Sequence, residues 1–179
     1  MRRLEVAELS LATLDALDVD ALLVLVGPER PLQGLAGLVD WRLCGALTRA
    51  LRGGLYAGTP DEALLLPTGG RLPVPRVVAV GLPSPNRPDG FTAAARRACQ
   101  VLLRAGVTSF ATSLPGLEGG DAAAAAALWL AAGEGAGRAR QVLLGEPRTL
   151  LPDLAAARAA AGAAVEIAPF TARPGAVVR

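Results

Sequence analysis

The segment "DWRLC", residues 40–44, brings together side chains that could do chemistry. Cys44 is a potential nucleophile, and tryptophan and arginine are residue types that often anchor protein interfaces. A thiol nucleophile needs a base to activate it, and the sequence contains no His. We therefore expect no catalysis by Cys44. Asp40, Trp41 and Arg42 are interface candidates, and a solvated helix edge is the alternative.

Several residue types that common catalytic sites require are absent from the sequence. There is no His and no Lys, so that all 18 basic residues are Arg. Without imidazole there is no Ser-His triad and no histidine zinc ligand, and without lysine there is no Schiff base. Cys44 and Cys99 form no Cys-x-x-Cys pair, and we expect both to be buried free thiols. We expect no enzyme activity, no metal and no cofactor.

Charge and hydropathy limit the kinds of partner. The formal net charge is +2 and no dense basic stripe is visible, so that nucleic-acid binding is not expected. The arginine-bearing side of a predicted helix over 91–105 is interpreted as a solvated face. No run of eighteen apolar residues and no signal peptide is present, which predicts a cytoplasmic protein without a membrane partner.

Two glycine-bearing loops could bind an anion. The loop "GPERPLQG" (27–34) follows the apolar run "ALLVLV" (21–26), and the loop "PGLEGGD" (115–121) precedes an alanine-rich helix. Loops after parallel strands place backbone N–H groups at helix N-termini, where anions are stabilised. Acidic residues in both loops oppose an anion, so that plain connecting loops are the alternative. The candidate ligand-contacting residues are Asp20, Gly27, Gly34, Gly116, Gly119 and Gly120.

These segments lie in an alternation of strands and helices. Strands are predicted over 3–9 (at a sheet edge), 21–26, 62–68, 76–82, 107–114, 141–145 and 164–170, and helices over 34–52, 91–105, 122–132 and 150–161, with Asp121 and Thr149 as N-caps of the last two. The link between the strands 62–68 and 76–82 is too short for a helix, which predicts an antiparallel pair. From Arg76 onward the alternation predicts parallel strands.

This pattern predicts an α/β fold with three layers. A mixed, mostly parallel sheet would carry helices on both faces. We expect a single domain over residues 1–170, followed by a loose tail over 171–179.

Three stretches carry a resemblance to a known family. "GLAGLVDWRLCG" (34–45), "GTPDEALLLPT" (58–68) and "RVVAVGL" (76–82), the last followed by the helix "FTAAARRACQVLLRAG", resemble the N-terminal domain of the leucine (cytosol) aminopeptidase family. The resemblance extends over residues 1–168 and implies a macro-domain-like fold. In that family a separate C-terminal domain holds two metal ions with carboxylates and a Lys, in motifs such as N-T-D-A-E-G-R-L. This sequence has neither that motif nor a Lys, so that no catalytic residue can be transferred to it.

The resemblance implies a stand-alone, non-catalytic binding or assembly module. Its partner would be a second copy of the chain, as a homo-oligomer, or a separate catalytic aminopeptidase chain. The alternative is a macro-like protein that binds a nucleotide or an ADP-ribose derivative at loops 27–34 and 115–121. Asp20 would then stand in the place of an adenine-reading acid. Binding macro domains usually carry asparagines after the strand that corresponds to 21–26, whereas this sequence has Gly27-Pro28-Glu29.

Overall fold

The computed structural model describes residues 2–59, 61–82, 88–114 and 122–172. Within these residues, seven strands form one sheet in the order β3-β4-β2-β5-β6-β1-β7. The strands are β1 (Arg2–Ala7), β2 (Ala21–Val26), β3 (Ala63–Pro67), β4 (Arg76–Gly81), β5 (Ser109–Ser113), β6 (Arg140–Leu144) and β7 (Val165–Pro169). The helices are α1 (Leu11–Ala16), α2 (Gly34–Arg42), α3 (Ala46–Arg52), α4 (Pro88–Arg104), α5 (Ala122–Ala132) and α6 (Pro147–Ala161).

The sheet is mixed and mostly parallel, as the sequence predicts. Among the described strands, β3 runs antiparallel to its neighbour β4, and the other six run parallel to one another. The six parallel strands therefore all begin at one edge of the sheet and end at the other. We call the side where these strands begin the amino edge and the side where they end the carboxyl edge.

Helices cover both faces of the sheet and divide the core in two. One cluster of buried apolar residues joins the sheet to α1, α2 and α3. The other joins the opposite face to α4, α5 and α6. β2 is covered on both faces, which explains why its sequence is apolar throughout rather than alternating. No helix in the described parts of the chain is long and apolar enough to cross a membrane.

The prediction of an edge position for the first strand is wrong. β1 lies between β6 and β7 and pairs with both. Its charged residue Glu5 is 2% exposed and accepts hydrogen bonds from the Arg140 guanidinium at 3.1 and 2.8 Å. A buried ion pair thus produces an alternation of polar and apolar residues that resembles the pattern of an edge strand.

The prediction of one helix over 34–52 is also wrong. The segment forms α2 and α3, separated by Leu43–Gly45, with φ of +53° at Cys44 and +78° at Gly45. These left-handed backbone angles end the first helix and turn the chain into the second. An apolar stripe continues across the break, because Leu43 and Leu47 are both buried.

The remaining predictions concern the N-caps of α5 and α6 and the C-terminal tail. α6 begins at Pro147, and its N-cap is Glu146 rather than Thr149, because the Glu146 side chain accepts from the Arg148 N–H. Asp121, predicted to cap α5, lies outside the described residues. So does most of the predicted tail, residues 173–179.

Candidate functional site

Trp41 is the most prominent exposed aromatic side chain on the helical layer formed by α1 to α3. It is 65% exposed near the C-terminal end of α2. The Arg42 guanidinium lies over the indole ring, 5.6 Å from its centroid, and forms an ion pair with Asp15 of α1. Leu11, also exposed, lies one turn before Asp15 on the same side of α1. We call Leu11, Asp15, Trp41 and Arg42 the Trp41 surface.

Asp40 does not belong to this surface, although it directly precedes Trp41. Its carboxylate accepts hydrogen bonds from the Thr48 backbone N–H at 3.0 Å and from the Thr48 hydroxyl at 2.5 Å. Its carbonyl accepts the Gly45 N–H at 2.7 Å. Asp40 therefore fixes the junction between α2 and α3, which supports the helix end that carries Trp41.

The two cysteines lie in different environments. Cys99 is buried, as predicted, and burial raises the pKa of its thiol to about 11. The prediction that Cys44 is buried is wrong, because Cys44 is exposed in the turn between α2 and α3. Its sulfur contacts the Arg71 guanidinium, and its carbonyl accepts from Arg49. A left-handed turn between two helices places this side chain outside the apolar stripe.

The loop with Gly27 lies at the carboxyl edge, as expected, but an acid occupies the space above it. A Cβ added at Gly27 would meet the Glu29 carboxylate at 2.1 Å. Arg30 donates from Nη1 to the Gly27 carbonyl at 2.9 Å and to the Glu29 carbonyl at 2.6 Å. The loop therefore presents one acidic and one basic group beside the end of β2.

Tyr56 adds a buried polar group at the same edge. It is 2% exposed, and its hydroxyl has no hydrogen-bond partner among the described residues. Burial raises the pKa of Tyr56 above its ordinary value, and the nearby Glu62 adds to this shift while Arg30 opposes it. A buried hydroxyl without a partner is unusual in a folded protein.

The start of α2 contributes backbone donors at this edge. α2 begins at Gly34, whose φ is +53°, and its N-cap Gln33 makes no side-chain hydrogen bond to the helix. The first N–H groups of α2 thus have no side-chain cap. Together with Tyr56 and Arg30 they form what we call the carboxyl-edge site.

The structure does not bring Asp20 together with Gly27 and Gly34. Asp20 lies at the amino edge, separated from Gly27 by the whole of β2, which at about 3.3 Å per residue is roughly 20 Å. Its carboxylate accepts from the Thr108 N–H at 2.8 Å, the Thr108 hydroxyl at 2.6 Å and the Ser109 N–H at 3.0 Å. These bonds lower the pKa of Asp20 and tie the starts of β2 and β5 together. Gly116, Gly119 and Gly120 lie outside the described residues.

Comparison with known families agrees with this architecture. The family described as "cytosol aminopeptidase family, N-terminal domain" matches residues 23–140, well over half of the chain. The chain belongs to this family. The match concerns the N-terminal domain and does not extend to a catalytic domain. No curated protein sequence matches the chain.

Solved structures with this fold include both aminopeptidases and macrodomains. A tomato leucine aminopeptidase mutant is 16% identical with a TM-score of 0.61, over 88% of this chain and 36% of that one. The macrodomain of Mycobacterium tuberculosis DarG is 16% identical with a TM-score of 0.64, over 80% and 97%. A Trypanosoma brucei macrodomain in complex with ADP is 17% identical with a TM-score of 0.66, over 87% and 68%. The chain thus spans little more than a third of the aminopeptidase chain.

Two features of this aminopeptidase-family domain were not predicted from the sequence. Tyr56 is the one tyrosine of the sequence, and it stands between the glycines that end α3 and Gly58. That isolated position was the available signal for a buried polar group. Nothing in the sequence indicated that Arg30 would fold back onto its own loop. Within the described residues, no group of three or more Cys, Asp or Glu side chains is arranged to hold a metal ion.

Proposed function

We propose that the chain is a non-catalytic assembly module that binds a second copy of itself through the Trp41 surface. The observation that carries this proposal is the large exposed indole of Trp41, held beside an arginine on a braced helix end. Buried aromatic and arginine side chains contribute most of the free energy at protein interfaces. A side chain that is already positioned before binding loses less conformational entropy on association.

The charges of the Trp41 surface favour a second copy as the partner. Arg42 and Asp15 lie on the same surface and carry opposite charges. In a two-fold symmetric dimer the same patch meets itself, so that each acid can face the base of the other copy. A catalytic aminopeptidase chain is the other candidate partner, which follows from the family to which the chain belongs.

Sedimentation velocity over a range of concentrations tests this proposal. We expect a reversible dimer, and we expect Trp41→Ala to weaken it by at least 2 kcal/mol, about thirtyfold in Kd. Leu103→Ala is the matched control, because Leu103 is 60% exposed but lies on α4 behind the opposite face of the sheet. A protein that stays monomeric throughout, or equal effects of both variants, would contradict the proposal.

Charge reversal tests the symmetry of the interface. Arg42→Glu places like charges opposite each other and should weaken the dimer. Adding Asp15→Arg to that variant restores opposite charges across the two-fold axis and should recover association. If the single and the double variant dimerise equally, the two-fold arrangement is wrong. If the wild type does not self-associate but binds an aminopeptidase catalytic domain, the Trp41 surface belongs to that partner instead.

The second candidate function is binding of a small anionic ligand such as ADP or ADP-ribose at the carboxyl-edge site. Two features of the carboxyl edge favour it, the unpartnered hydroxyl of Tyr56 and the uncapped start of α2. A macrodomain with this fold has been solved in complexes with ADP and with ADP-ribose. The carboxylate of Glu29 above Gly27 opposes the binding of a phosphate group.

Isothermal titration with ADP and ADP-ribose tests this candidate. If the site binds them, Tyr56→Phe should weaken binding about tenfold through loss of one hydrogen bond. Glu29→Gln should strengthen binding, because it removes a negative charge from the phosphate path. Glu166→Gln on β7 is a control distant from that loop. No heat of binding with the wild type or with Glu29→Gln would exclude these ligands.

A further inference from the structure

A small cavity opens at the amino edge of the sheet, on the side opposite to the carboxyl-edge site. Its volume is about 180 Å³, and it is lined by Arg2, Glu134, Gly137, Ala163, Ala164 and Val165. Arg2 and Val165 are the paired first residues of β1 and β7. Pockets for drug-sized ligands measure about 300–1,000 Å³, so that this cavity suits a molecule of only a few heavy atoms.

Arg2 is a buried cation that forms no ion pair with a carboxylate of the described residues. It is 8% exposed, and both of its terminal nitrogens donate to the Leu130 carbonyl at 2.9 Å. No carboxylate of the described residues lies within 4.0 Å of its guanidinium. A guanidinium has five N–H donors, and a buried charge is normally paired. The bonds to Leu130 cap the end of α5 and use two of these five donors.

Glu134 supplies the opposite charge on the cavity wall. Its side chain is exposed in a 3-10 turn after α5 and lines the cavity together with Arg2. Burial lowers the pKa of Arg2, and the charge of Glu134 offsets that shift only in part. One basic and one acidic side chain thus line the same cavity.

The rest of the wall is made of small residues. Gly137, Ala163 and Ala164 place no long side chain in the space. The cavity is thus bounded by one cation, one anion and short apolar groups.

We propose that this cavity binds a small zwitterion, a free α-amino acid with a short side chain. Its carboxylate would pair with Arg2 and its ammonium group with Glu134. A simple anion is less well matched, since the carboxylate of Glu134 repels it. The ligand carboxylate would accept from the N–H groups of Arg2 that do not bond to Leu130. The short side chain would lie against Ala163 and Ala164.

A titration followed by amide NMR tests the proposal on the intact chain. L-Alanine should produce saturable shifts at the amides of Gly137, Ala163 and Ala164. Propionate lacks the ammonium group and alaninamide lacks the carboxylate, so that each should bind at least about tenfold more weakly than alanine. Absence of saturable shifts with alanine, or equal affinity for all three compounds, would overturn the proposal.

The Glu134 side chain is exposed, so that its substitution should leave the fold intact and report on ligand binding alone. Glu134→Gln should weaken alanine binding about tenfold and should strengthen propionate binding, because the repulsion is removed. Glu166→Gln is the matched control, since Glu166 is exposed on β7 next to Val165 but does not line the cavity. If Glu134→Gln binds alanine as the wild type does, Glu134 does not hold the ammonium group and the proposal is wrong.

Discussion

The carboxylate of Asp40, on α2, caps the N-terminus of α3 by binding Thr48. Thr48 is the third residue of α3, and the N-cap residue Gly45 has no side chain that could accept a hydrogen bond. Asp40 takes over that role from the preceding helix, with oxygens 3.0 Å from the Thr48 N–H and 2.5 Å from its hydroxyl. Asp40 therefore stabilises the end of α2, the helix that carries Trp41.

Asp40→Ala is expected to lower the free energy of unfolding by about 1–2 kcal/mol, the usual effect of losing a helix cap. Thr48→Val removes the hydroxyl from the same contact. In urea unfolding, the double variant should lose less than the sum of the single losses, because both changes break one interaction. Strictly additive losses would contradict the cap.

Asp15→Ala breaks only the partly exposed pair with Arg42 and should lower the free energy of unfolding by less than about 1 kcal/mol.

The two thiols are expected to react at very different rates with a disulfide reagent. Cys44 is exposed and should react with the reagent in the folded protein. Cys99 is buried with a pKa raised to about 11, so that little of it is thiolate near neutral pH. We expect one reactive thiol per chain in buffer and two in denaturant. Cys44→Ser should remove the fast reaction, whereas Cys99→Ala should leave it unchanged.

The positions of the strands in the sequence and their directions could be predicted largely from local pattern. The run 21–26 is apolar at each position and forms β2 with the same bounds, because a central parallel strand is covered on both faces. The short link between β3 and β4 leaves room only for an antiparallel pair, which the structure has. These features depend on residues close together in sequence.

The errors arose where a distant residue or a local turn conformation decides the outcome. Glu5 is tolerated inside the sheet because Arg140, far along the chain, pairs with it. The break after α2 depends on left-handed angles at Cys44 and Gly45 that an apolar period across 34–52 does not reveal. The hydrogen bonds that Asp20 accepts come from Thr108 and Ser109 at the start of the neighbouring strand. Sequence spacing predicted loops at the carboxyl edge but not which side chains fold over them.

Asp20 is expected to contribute stability that disappears in acid. Hydrogen bonds from Thr108 and Ser109 lower its pKa in the folded protein below the ordinary 3.8. A lowered pKa stabilises the fold above the ordinary value, and that stabilisation is lost as the pH falls from about 4 through the folded pKa. Asp20→Asn should cost about 1–3 kcal/mol at neutral pH. The difference from the wild type should narrow in acid unfolding experiments, whereas Glu8→Gln, an exposed control, should differ little at either pH.

Gly81→Ala is expected to disturb the carboxyl edge more than any exposed substitution there. A Cβ at Gly81 would lie 2.2 Å from the backbone carbonyl oxygens of Gly58 and Thr59, which cannot yield as a flexible side chain can. Overpacking of this kind costs about 1–3 kcal/mol and would displace the segment that follows Tyr56. Gly135→Ala is the control, because its Cβ would lie at an ordinary 3.5 Å from Cys99 Cβ. Urea unfolding should show a clear loss for Gly81→Ala and at most a small change for Gly135→Ala. Equal stability of the two variants would mean that the segment over β4 moves freely, and the carboxyl-edge site would then not be preformed.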